Sequence, residues 1–320
     1  EQWNFSGRLP ERAGFLAYGD IDGDNAGEVF LFTIRRDSLL LHGIDPFHEN
    51  RLLFKNKLVS TIQWRNDTIQ AFIGHSSFFD LDSDGYQELI FPVKAGFSLQ
   101  PRGLFVYDYQ DDSIYHSAML GANMGKILVH DFGEAGSPAI YVACNTLGNI
   151  HDSLNIPYSD YSSYFMGFDR DLEFLFPPLE YPVYRSSTSF TNTTFAGKEG
   201  IILYFCNRSD EDDPSEIRLL DPAGKLIIKK EIPEDLQEKY GLHCLNNVMM
   251  DNNKAIPALF SSKGISILDD SLMPAEFYPI EGAAHLRYTV DLDGDGNKEM
   301  IFAQRDNKVL ILRAGLTDPL

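Results

Sequence analysis

Asp20-Ile21-Asp22-Gly23-Asp24-Asn25-Ala26-Gly27-Glu28 recurs in design as Asp80-Leu81-Asp82-Ser83-Asp84-Gly85-Tyr86-Gln87-Glu88 and as Asp291-Leu292-Asp293-Gly294-Asp295-Gly296-Asn297-Lys298-Glu299. Each copy runs into a short apolar stretch: Val29-Phe30-Leu31-Phe32, Leu89-Ile90-Phe91 and Met300-Ile301-Phe302. These β-branched and aromatic runs read as buried strands. Carboxylates at positions 1, 3, 5 and 9 of a tight loop can converge on a hard cation, because Ca²⁺ takes six to eight oxygens. Gly85 and Gly296 suit the left-handed turn position, and Asn25 is a tolerable substitute there. An EF-hand would place its bidentate acid at position 12 between two helices. These loops open strands instead.

The unit continues where its acids have decayed. Asp131 through Ala139 leads into Ile140-Tyr141-Val142-Ala143, Asn192 through Gly200 into Ile201-Ile202-Leu203-Tyr204, and Asn247 through Ala255 toward Ala258-Leu259-Phe260. A second strand signal follows in each unit and usually ends in an acid, at Asp45, Asp108, Asp169, Asp221 and Asp269. Six units spaced by about 54 residues need about 325, and the chain has 320. The arithmetic predicts an all-β, six-bladed β-propeller over residues 1–320 as one domain, with seven blades as the alternative count. The segment Trp3-Asn4-Phe5 resembles the outer-strand segment Glu276-Phe277-Tyr278 and is expected to complete the last blade beside Val309–Leu312, so that no sheet edge is left open.

The Asp-x-Asp-x-Asp-Gly-x-x-Glu loops with their following strands resemble the FG-GAP or VCBS repeats of integrin-like β-propellers. That resemblance implies Ca²⁺ as a structural cofactor, held by Asp20, Asp22, Asp24 and Glu28, by Asp80, Asp82, Asp84 and Glu88, and by Asp291, Asp293, Asp295 and Glu299. The chain carries Glu at the ninth position where the integrin repeats usually carry Asp, which lengthens that ligand arm. Gly96–Leu104 and Leu172–Pro178 are similar to stretches of propeller sensor regions in Bacteroidetes membrane histidine kinases, whose membrane and kinase modules would lie outside this chain.

Lys and Arg number 27 against 47 Asp and Glu, a net charge of −20, which disfavours nucleic acid and anionic membrane surfaces as partners. No apolar run approaches the ~20 residues of a membrane helix. Three cysteines exclude a fully paired disulfide framework and lack metal spacing, so they read as buried thiols. No nucleophile elbow, phosphate loop or His-x-x-x-His pair occurs.

Between Asn155 and Arg185 tyrosines and prolines crowd into loops around one strand, and rigid aromatics with a polar tip suit recognition. Tyr158, Asp160, Tyr161 and Tyr164 are the candidate ligand contacts, joined by Arg102 from the preceding unit. The sequence therefore predicts a non-catalytic extracytoplasmic module, periplasmic or at the cell surface, that senses a saccharide, peptide or protein ligand. Its alternatives are a propeller enzyme acting on glycans, a lyase or glycosidase, and a secreted adhesin.

Overall fold

The computed structural model describes residues 13–312 apart from 36–37, 48–50, 62–70, 74, 96–99, 132–137, 151–154, 196–197, 209–212, 250–254, 281–285, 293–297 and 304–308. The chain is almost wholly β and folds as two compact units, Glu1–Tyr184 and Arg185–Leu320. The expected outer strand at Trp3–Phe5 lies outside the described residues.

The first unit holds three antiparallel sheets. One is β1 (Ala13–Gly19), β2 (Glu28–Arg35), β3 (Ser38–Asp45) and β4 (Arg51–Thr61) in sequential order. The second has β5 (Ala71–Ile73) and β6 (Ser77–Phe79) both paired to β7 (Glu88–Ala95), followed by β8 (Arg102–Asp108) and β9 (Ser113–His116). The third is β10 (Asn123–His130), β11 (Ala139–Asn145), β12 (Ser163–Phe168) and β13 (Leu179–Tyr181). Sequential four-stranded meanders stacked face to face are the build of propeller blades. The middle sheet is buried on both faces. Leu89, Phe91, Val93, Phe105 and Tyr107 pack with Ile21, Phe30, Phe32 and Leu41 of the first sheet. The intervening Ile90, Leu104 and Val106 pack with Met124, Ile140, Val142, Cys144 and Met166 of the third. This period of two accounts for the unbroken apolar run Leu89–Val93 of β7, since neither face meets water over that stretch.

The second unit repeats the plan. Its sheets are β14 (Ser186–Phe195) to β17 (Leu226–Glu231) by way of β15 (Lys198–Asn207) and β16 (Glu216–Leu220); β18 (Leu242–Met249), β19 (Ala255–Ser261), β20 (Gly264–Leu268) and β21 (Pro274–Pro279); and β22 (Leu286–Val290), β23 (Glu299–Ala303) and β24 (Val309–Leu312). Helix α1 (Glu234–Tyr240) follows Pro233 and stops at Gly241, whose φ of 61° is the left-handed cap that glycine adopts freely. One expected loop is absent. Asn192 faces Ile201 within a β14–β15 ladder that continues to Phe195 opposite Lys198. Where the other units carry acids in a loop, here the paired strands run on.

The acids that end the third strands build a shared turn. In Asp169–Glu173, Asp221–Lys225 and Asp269–Met273, the aspartate Oδ1 accepts the N–H of the fifth residue at 2.9, 2.8 and 2.9 Å. The fourth residue is left-handed: Leu172 at φ 62°, Gly224 at 79° and Leu272 at 65°. Leucine there is strained, yet Leu172 and Leu272 are 3% and 1% exposed, and their burial outweighs the strain. Leu272→Gly is accordingly expected to destabilise the protein by about 1–2 kcal/mol, the loss of a buried leucine less the relief of backbone strain. Urea denaturation checks this; a variant as stable as the parent would show that strain and burial balance.

Candidate functional site

The three acidic loops connect β1 to β2, β6 to β7 and β22 to β23. The residue before each loop pairs with its ninth residue: Gly19 with Glu28, Phe79 with Glu88, Val290 with Glu299. Each glutamate is nearly inaccessible and uses Oε2 to accept a loop amide, from Ile21 (2.8 Å), Leu81 (2.6 Å) and Leu292 (2.8 Å). The aspartate at position 1 ties the turn from inside. Asp20 accepts Gly23 and Asn25 N–H at 2.8 and 2.9 Å, and Asp80 accepts Gly85 N–H at 3.0 Å. Asn25 and Gly85 have φ of 66° and 95°, as the turn requires.

Carboxylate oxygens of Asp20, Asp22 and Glu28 lie within 4.8 Å of one another, as do those of Asp80, Asp82 and Glu88. Asp24 and Asp84 fall outside these groups. Their Oδ1 atoms accept Ala26 and Tyr86 N–H at 2.7 and 2.8 Å, so the fifth position shapes the turn. In the third loop Asp291 and Glu299 are described, and Asp293 and Asp295 lie outside the described residues. Three buried oxygens, Glu28 Oε1, Asp80 Oδ1 and Glu299 Oε1, have no hydrogen-bond partner among the described residues. Burial, with repulsion from the loop aspartates, pushes Glu28 and Glu88 up to about 7 against the opposing amide bonds. Converging oxygens with bare lone pairs fit a hard cation.

The tyrosine loops lie elsewhere. In the third sheet the β10–β11 and β12–β13 connections share one end, and the β11–β12 connection, 146–162, is at the other with the residues that follow β13. The acidic end is common to the neighbouring sheet: Leu81 of the second acidic loop packs in one cluster with Leu172 and Phe174 of the β12–β13 connection. Acidic loops and tyrosine loops thus mark opposite ends of the first unit's sheets.

Arg102 and Asp160, expected as ligand contacts, are buried and meet each other. They are 1% and 0% exposed and form an ion pair, Nη1 to Oδ2, at 2.8 Å. Arg102 also donates to the carbonyls of Gly121 (3.0 Å) and Ala95 (3.2 Å) and to Asn149 Oδ1. The Asp160 carboxylate accepts Asn149 and Ile150 N–H, each at 3.1 Å. The pair braces the loop from below.

Tyr164, 4% exposed, is likewise internal and donates its hydroxyl to Glu180 Oε1 at 3.2 Å. Burial pushes its pKa up to about 12. Tyr158, half-buried at φ 59°, sets its ring edge-on to Tyr164 and Phe174. Tyr161 alone among the five candidates is exposed, at 47%, and it stacks on Tyr184, itself 42% exposed, with ring centres 5.8 Å apart and planes at 29°. Tyr184 was not singled out from the sequence, although it closes the same tyrosine-rich segment. Its ring lies over Gly148, where a Cβ would sit 2.6 Å from the ring, and Leu147 beside that glycine is 51% exposed. The brace below and the glycine beneath hold an aromatic pair out toward solvent.

No protein-family model matches the chain, FG-GAP and VCBS models included, and no curated protein sequence matches it. Among solved structures, the chain is similar to the exotype rhamnogalacturonan lyase YesX, with a TM-score of 0.49 and 12% identity over 95% of this chain and 66% of the lyase. It is also similar to Penicillium chrysogenum α-L-arabinanase complexed with arabinobiose, with a TM-score of 0.46 and 12% identity over 96% of this chain and all of that one. A third is the V. cholerae biofilm matrix protein Bap1, with a TM-score of 0.33 and 11% identity over 96% of this chain and 60% of that one. The expectation of a non-catalytic chain is corrected by these matches, because glycan-active enzymes stand among them. At such identities the likeness extends to architecture alone.

Proposed function

We propose that the protein is a glycan-active propeller that seats a sugar on the Tyr161–Tyr184 pair. The observation that carries this reading is the exposed stack itself. Two large rings are held at a fixed angle on a braced loop, so binding costs little side-chain entropy, and a pyranose offers an apolar C–H face to such rings. Polysaccharides screened for both binding and chain cleavage test it. Tyr161→Ala should weaken glycan binding about tenfold, the scale of a central aromatic contact, and leave the melting curve unchanged because the ring is half in solvent. A glycan that binds both proteins equally well would place its site elsewhere.

We further propose that Ca²⁺ staples the acidic loops, with Asp20, Asp22 and Glu28 and with Asp80, Asp82 and Glu88 as ligands. The support is the convergence of hard oxygens and the bare buried lone pairs described above. Water oxygens complete the shell, leaving this end of the sheets to stability and the opposite end to recognition. An extracytoplasmic setting accords with this assignment, since Ca²⁺ affinities of extracellular modules lie at about 10⁻⁴–10⁻³ M.

A further inference from the structure

The β7–β8 register runs without a shift from Leu89 opposite Tyr107 to Lys94 opposite Arg102. By alternation Lys94 shares the face of Ile90 and enters the space between the second and third sheets of the first unit. Arg102, its register partner, shares that face, and Cys144 packs in the cluster on the same side. Neither supplies a counter-charge: Arg102 is itself a cation, and burial pushes the Cys144 thiol far up, so it stays neutral. Asp160, the buried carboxylate nearby, is committed to Arg102. Lys94 is half-buried and, among the described residues, has no hydrogen-bond or ion-pair partner. Desolvation, with Arg102 adding to it, holds its pKa below the ordinary lysine value.

A half-buried ammonium without an anion is costly to keep. Arg102, directly opposite on β8, reaches Asp160 and Asn149; Asp160 precedes Tyr161, and Gly148 beneath Tyr184 precedes Asn149. The cation and the aromatic stack are thus joined through one brace at one end of the unit. We propose that Lys94 is an anion subsite, and that the sugar lying on Tyr161 and Tyr184 belongs to an acidic glycan whose uronate carboxylate or sulfate ester reaches the Lys94 ammonium. This rests on the glycan reading above and narrows it to a charge class.

Calorimetry with three probes tests the inference: a mannuronate or galacturonate tetramer, a sulfated galactose tetramer and a neutral arabinose tetramer. Each is titrated into the parent protein, Lys94→Met, Lys94→Arg and Tyr161→Ala. Lys94→Met should lose roughly ten- to a hundredfold for the acidic probe that fits, the loss expected of a charge-assisted hydrogen bond. It should leave neutral-sugar binding untouched. Lys94→Arg should retain most of the acidic affinity, and whichever anionic probe responds identifies uronate or sulfate. Melting temperature controls for folding, and Lys94→Met should not lower it, because the change removes an unpaired half-buried charge. Acidic probes that bind Lys94→Met as tightly as the parent overturn the subsite, while the glycan reading survives if Tyr161→Ala still loses binding. A parent that binds only the neutral tetramer also overturns it. Failure of every probe on the parent overturns both.

Discussion

Asp160→Ala should destabilise the first unit by about 3–5 kcal/mol, because it strands the Arg102 guanidinium in a site 1% open to solvent. The carboxylate also satisfies the Asn149 and Ile150 amides, so the change leaves two further donors without an acceptor. Asp160→Asn keeps an acceptor oxygen but not the charge, and should fall between the two. Arg102→Met combined with Asp160→Asn should recover a large part of the loss, since replacing both members of a buried pair is far milder than orphaning one. Chemical denaturation of the four proteins measures this. A single Asp160→Ala within about 1 kcal/mol of the parent would mean that water reaches Arg102 and that the brace is not closed. Because Tyr161 rides on the same loop, Asp160→Ala should also abolish glycan binding, but through the fold, which is why Tyr161→Ala is the cleaner probe of recognition.

Removing Ca²⁺ should invert the pH dependence of stability. Glu28 and Glu88 are raised from an ordinary 4.5 to about 7 in the folded, metal-free chain. The folded state therefore binds their protons more tightly than the unfolded state does, and each group's stabilising contribution is greatest at low pH and lost as pH rises from about 4.5 through 7. In chelator the melting temperature attributable to these loops should rise on acidification over that window. With Ca²⁺ the order reverses, because the cation needs both carboxylates ionised and protons compete with it below about 7. At pH 8 and a hundredfold excess over Kd, each occupied loop adds about 2.7 kcal/mol, and the increment should shrink toward pH 5.5. Glu88→Gln should stabilise the chelated protein at pH 8, by removing a crowded buried charge, and erase the Ca²⁺ response of its loop. Identical melting profiles with and without Ca²⁺ at pH 8 would show the loops to be metal-free turns.

Much of this frame is written locally in the chain. A strand start after each ninth glutamate is legible because Glu28, Glu88 and Glu299 sit at a fixed register against the strand before, and the period of two in Leu89–Val93 reports burial on both faces. The departure at Asn192–Gly200 follows from the same logic: without acids to fold the loop, hydrogen bonding carries the ladder onward. Arg102 and Asp160 were legible as candidate ligand contacts but not as each other's partners. They lie 58 positions apart, and a charged residue at a strand end carries no local sign of whether its partner is protein or ligand. Tyr184 escaped notice because its exposure depends on Gly148 passing beneath it. The non-catalytic expectation rested on missing motifs, which is weak ground, because fold and linear pattern do not decide whether a propeller carries a catalytic site.

The two leucines held in left-handed turns also say something about the order of events in folding. A hairpin closed by Gly224 has no local strain to overcome and can form as soon as its strands meet. Those closed by Leu172 and Leu272 must adopt an unfavourable backbone before any neighbour is present to bury the side chain, so their outer strands should dock late, after the sheet beneath has assembled. In kinetic terms, the destabilisation of Leu272→Gly should appear almost entirely as faster unfolding, with refolding unslowed. The outer edges of those two sheets would then act as latches fastened last, set by a residue that is unfavourable until the rest of the structure is in place.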